Sequence, residues 1–66
     1  MGQDLSSREK EVLILMAEGL ENSQIAEKLT VSSHTAKAHV CNLLMKLGAD
    51  NRTQAVSMAF RKGLIT

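Results

Sequence analysis

Residues 21–47, ENSQIAEKLTVSSHTAKAHVCNLLMKL, contain two helical periods separated by three residues that fit neither, and this break constrains the fold most. Ile25, Ala26 and Leu29 fall at i, i+1 and i+4, one face of a helix starting near Glu21 or Asn22. Ala26 is small, which lets two helices cross closely. Thr30, Val31 and Ser32 interrupt the period. Ser32 can cap the next helix by accepting a hydrogen bond from an amide two or three residues on. Val31 can pack against Ala36 as a hydrophobic staple, so the direction of the second helix is set locally. Along that helix Ala36, Val40, Leu43 and Leu47 form an inward stripe with Leu44 beside it, and Gly48 offers a stop. The opposite face carries His34, Lys37, Ala38 and Cys41 at i, i+3, i+4 and i+7. A helix held by its neighbour, with a short and cationic outer stripe, has the shape that enters a DNA major groove.

Helical signals flank this pair. Leu5-Ser6-Ser7-Arg8-Glu9 has the form of a capping box, with Ser6 as cap and Glu9 reaching back. It predicts a helix over about 7–18 that ends at Gly19 and turns Val12, Leu13 and Met16 inward, with Leu20 following. Ile14 falls on the charged face beside a partly exposed Leu15, an apolar spot that could dock another domain. Asn51 and Gln54 repeat the capping signature after Gly48 and predict a fourth helix over about 52–62, stopped by Gly63. Its inward face is Ala55, Val56 and Ala59. Thr53, Ser57, Phe60 and Leu64 form a second stripe that suits packing against another helix across a two-fold axis. The expected architecture is all-α, a four-helix bundle with helices at about 22–29 and 33–47 between the outer two. Residues 5–66 form the domain, and residues 1–4 read as an unstructured start.

A chain of 66 residues can build one small core and has no room for a substrate cleft with a lid. Aromatic side chains are nearly absent, with Phe60 alone, which argues against single-stranded nucleic acid held by base stacking. No apolar run approaches the ~20 residues of a bilayer span, and a cytoplasmic location is the default expectation. The formal net charge of +1 conceals an asymmetry. Residues 1–31 hold three cations against six carboxylates, whereas residues 32–66 hold five cations against one. The basic half contains the outward stripe, where phosphate attraction would act.

Catalysis and metal binding find no support. His34 and Cys41 share a face but lie ~10.5 Å apart along the helix axis, too far to ligate one ion, and His39 points elsewhere. Glu9 belongs to a cap and Glu11 to solvent, so they are no acid–base pair. No glycine-rich phosphate loop follows a strand. The expectation is a non-enzyme without a cofactor.

Across residues 5–64 the sequence resembles the LuxR-type DNA-binding domain, the helix-turn-helix output module of quorum-sensing regulators and of NarL/FixJ-type response regulators. Leu5, Ser6, Arg8, Glu9, Glu11, Val12 and Leu13 match its opening, followed by Ala17, Gly19 and Asn22. Ile25-Ala26, Leu29, Val31-Ser32, Thr35, Lys37 and His39 match its centre; Lys46-Leu47-Gly48 and Asn51 to Ala55 match its end. The resemblance implies base contacts by His34, Lys37, Ala38 and Cys41. It implies phosphate contacts by Asn22, Ser32, Ser33, Thr35, His39, Asn42, Lys46 and Arg52. A homodimer through the fourth helix would use Thr53, Ser57 and Phe60, and an N-terminal receiver or ligand-binding domain would supply the signal. Ala36 stands where the family commonly has Val, and Cys41 where some relatives have a base-reading Lys. Two alternatives to this output role are a sigma-factor-like promoter-recognition domain and a helical protein-interaction module using Ile14 and Phe60.

Overall fold

The computed structural model describes residues 5–65, so the expected unstructured start at residues 1–4 lies outside the described residues. The chain forms α1 (Ser7–Ala17), α2 (Asn22–Leu29), α3 (Ser33–Leu47) and α4 (Arg52–Arg61), and no strand occurs among the described residues. Expected α1 and α4 each end one residue early. Glu18 and Lys62 keep helical dihedrals but act as C-caps before a glycine of positive φ.

Each N-terminus is closed by short-range chemistry. Ser6 Oγ accepts from the Glu9 N–H at 3.1 Å, and Glu9 Oε1 accepts from the Ser6 N–H at 2.8 Å, completing the box on α1. At α2 the Gln24 carboxamide oxygen accepts from the Glu21 N–H at 2.8 Å, a half-box that the sequence reading did not anticipate. Ser32 caps α3, accepting from the Thr35 N–H at 3.1 Å and donating to Thr35 Oγ1 at 3.0 Å. Asn51 caps α4 through the Gln54 N–H at 2.8 Å, but Gln54 reaches back to the Asp50 N–H rather than to Asn51, so this box is shifted by one residue.

All four helices close with paired six-to-one and five-to-two backbone bonds, the Schellman pattern that requires a left-handed residue. Gly19, Gly48 and Gly63 supply it at three ends, whereas α2 uses Thr30 at φ 57° and ψ 47°. A β-branched residue is strained there by about 1–2 kcal/mol. That strain sits in the three-residue turn between α2 and α3, which the break in sequence period located at residues 30–32.

One core joins the elements. Val12, Leu13 and Met16 of α1 meet Ile25 and Ala26 of α2, Ala36, Val40, Leu43 and Leu47 of α3, and Ala55 and Ala59 of α4. Leu29 and Val56, expected to face inward, are only half-buried against this core. Leu5 and Ile65 close it from outside the helices, which periodicity alone did not reveal. Because α2 and α1 both pack on α3, the inner face of α3 is fixed along its full length.

Candidate nucleic-acid interface

Burial of Ala36, Val40, Leu43 and Leu47 forces the remaining positions of α3 outward. His34, Lys37, Ala38 and Cys41 are all exposed, as the i, i+3, i+4, i+7 spacing requires. None of the four takes part in the side-chain hydrogen bonds or ion pairs found among the described residues. Their donors and the Ala38 methyl are free for an external partner. Met45 extends the same stripe one further turn and is 78% exposed, the most exposed large apolar side chain described. Sequence reading passed over it because methionine counts as a core residue, although its spacing from Cys41 carries the signal.

The residues expected to flank the groove sit differently. Ser33 and Asn42 are exposed, and Thr35 and His39 are half-buried beside the stripe. Ser32 and Thr35 are bonded to each other, which fixes the N-terminus of α3. Asn22 and Arg52 also face each other: Arg52 Nη1 donates to Asn22 Oδ1 at 3.3 Å and Nη2 donates to the Leu20 carbonyl at 2.6 Å. This partly buried pair fastens α4 to the turn between α1 and α2. Arg52 and Asn22, expected as phosphate contacts, thus also fasten the fold, and the Asn22 Nδ2 and remaining guanidinium N–H donors take no part in these bonds.

Among the described residues Lys46 makes the longest-range side-chain bond, donating from Nζ to Glu9 Oε1 at 2.9 Å. The same oxygen accepts the Ser6 N–H, so the α1 cap and the C-terminal half of α3 share one carboxylate. The Ser6 amide and then the Lys46 ammonium hold the Glu9 carboxyl below its ordinary range. Glu9, Asn42, Met45 and Lys46 line an open hollow on this side of α3.

On α4, Thr53, Ser57 and Phe60 are exposed, and Leu64 folds back half-buried against the core. Phe60 and Ile14, each about half exposed, line one hollow with Ala17, Glu18, Leu64 and Ile65. The two apolar residues that the protein-interaction alternative named together thus share a surface between α1 and α4. No helix among the described residues is long and apolar enough to cross a membrane.

Comparison with known proteins matches residues 3–59 to the family described as bacterial regulatory proteins, luxR family. The chain is 49% identical over 65 residues to the Bacillus subtilis (strain 168) uncharacterized transcriptional regulatory protein YxjL, covering 98% of this chain and 30% of that protein. The chain therefore spans about 30% of the length of the curated relatives it matches. Among solved structures, the response regulator ChrA of a heme-sensing two-component system superposes with a TM-score of 0.91 at 45% identity, covering 98% of this chain and 32% of that one. The transcription factor GerE superposes with a TM-score of 0.86 at 31% identity over 94% of this chain and 92% of its own.

Proposed function

The chain belongs to the LuxR family of bacterial regulatory proteins and is a DNA-binding helix-turn-helix domain, and from that premise we propose how it meets DNA and what it serves. The third helix enters the major groove of double-stranded DNA, with His34, Lys37, Ala38 and Cys41 against base edges. The exposed, unbonded stripe on a helix fixed from behind carries this reading. From His34 to Cys41 the stripe runs ~10.5 Å along the axis, comparable with the ~12 Å width of the groove. Lys37 is the cation of the stripe and can donate to guanine O6 and N7, a contact worth ~1–3 kcal/mol of discrimination. Ala38 offers a methyl to a thymine methyl or permits close approach, and Cys41 fills space where a longer donor would read a base.

Ser32, Ser33, Thr35, His39, Asn42 and Lys46 contact the phosphate backbone on either side, and Asn22 and Arg52 add their unpaired N–H donors. Two copies dimerise on DNA through Thr53, Ser57 and Phe60, reading half-sites about one helical turn apart, ~34 Å. A domain with extents of 31 × 21 × 20 Å fits that spacing side by side on one face of the duplex. Membership of the family and likeness to the response regulator ChrA support a role as the output domain of a transcriptional regulator, under the control of an N-terminal receiver or ligand-binding domain. Such a regulator works in the cytoplasm, and the domain is not an enzyme. The shared Ile14–Phe60 hollow favours one further use, protein docking, which leaves α3 free but would engage Phe60 in place of the α4 dimer contact.

The test is a titration of generic duplex at low and high salt with wild type and Lys37→Ala. Salt-sensitive binding that weakens in the variant supports the assignment. An intact fold with no salt-sensitive binding would favour the protein-docking reading instead.

A further inference from the structure

Lys46 has three N–H donors, and Glu9 Oε1 takes one of them. Asn42 lies one turn earlier on the same face of α3, so its carboxamide and the two free donors of Lys46 open onto one hollow. Glu9 lies beneath them: its side chain is 12% exposed against 36% for Lys46. The carboxylate is itself anchored, because the Ser6 amide grips the same oxygen. A lysine side chain otherwise carries a large rotamer entropy that a phosphate contact must overcome.

We propose that Glu9 is a positioning residue for DNA binding, holding the Lys46 ammonium beside Asn42 so that one backbone phosphate seats at the end of α3. This rests on the DNA-binding assignment and adds a residue of α1 to it. Glu9 touches no DNA. Its charge opposes the phosphate, so its benefit is geometric: it orders Lys46 before binding and fixes the register of α3 on the backbone.

Glu9→Asp and Glu9→Gln separate geometry from charge. Aspartate keeps the charge but draws the carboxylate back by one methylene. Glutamine keeps the reach, and its Oε1 can still accept from Ser6 and Lys46, so the capping box survives. Binding to a generic duplex is measured by fluorescence anisotropy across salt, for both variants alone and with Lys46→Gln, with folding checked by circular dichroism. Glu9→Asp is expected to weaken binding by about three- to tenfold, and the weakening should vanish when Lys46 is already glutamine. Glu9→Gln is expected to bind at least as tightly as wild type. Wild-type affinity in Glu9→Asp, a loss that persists without Lys46, or weaker binding by Glu9→Gln each overturns the proposal. Should Glu9→Asp fail to fold, Glu9→Met, which keeps the side-chain length but has no acceptor for Lys46, takes its place with and without Lys46→Gln, with the same loss expected and the same results overturning the proposal. A wild-type chain that shows no salt-sensitive binding would instead remove the DNA-binding assignment on which this rests.

Discussion

The outer stripe of α3 and the residues that flank it obey different rules. His34, Lys37, Ala38 and Cys41 are exposed and free of internal bonds, so they can change without disturbing the fold. Asn22, Arg52 and Lys46 each hold a tertiary partner: Arg52 reaches both Asn22 and Leu20, and Lys46 reaches Glu9. Substitution in the stripe should alter recognition alone, whereas substitution in the flank should alter stability as well. The same residue types thus have different consequences according to what lies behind them.

Arg52→Ala should give the largest loss of stability. It removes charge-assisted bonds between α4 and the α1–α2 turn from a half-buried site, at a cost of about 2 kcal/mol. Urea unfolding measures it, and a change within 0.5 kcal/mol of wild type would break the distinction between flank and stripe. The turns at either end of α3 sharpen it further. Gly48 adopts φ 69°, and an added Cβ would meet nothing within 4 Å. Gly48→Ala should therefore cost about 1 kcal/mol from backbone strain alone. Thr30→Gly, at φ 57°, should release strain and change stability by less than about 1 kcal/mol in the stabilising direction. Thermal melts of the two variants should move in opposite directions.

Smaller still is the acid limb. Glu9 has a folded-state pKa below its ordinary value of 4.5, so its contribution is complete above that value and is lost as pH falls through the folded pKa. Urea midpoints below pH 4.5 should fall more steeply for wild type than for Glu9→Gln, which has no carboxyl to protonate at this position. Cys41→Ser should be the quietest change, within about 0.5 kcal/mol of wild-type stability, because Cys41 is exposed.

Much of this was legible in the chain. Inward positions of α3 follow from a 3.6-residue period, and the Ser6, Ser32 and Asn51 caps follow from side-chain chemistry acting over three residues. Those signals are local, so sequence carries them. The Glu9–Lys46 bond spans 37 positions and the Arg52–Asn22 bond spans 30, and no period or cap encodes such pairs. The meeting of Ile14 with Phe60 likewise depends on how α4 lies against α1. Gln54 chose Asp50 because its side chain reaches either amide of the turn, a choice that only the backbone geometry settles.

The proposal that the outward stripe of α3 faces DNA can be tested at single residues. The most direct measurement is to add duplex DNA to the isotope-labelled chain and map the backbone amide shifts in nuclear magnetic resonance spectra. The largest shifts should cluster at His34, Lys37, Ala38 and Cys41, continue to Met45 and Lys46, and fade as salt is raised. Shifts centred on Ile14 and Phe60, with α3 unmoved, would contradict it.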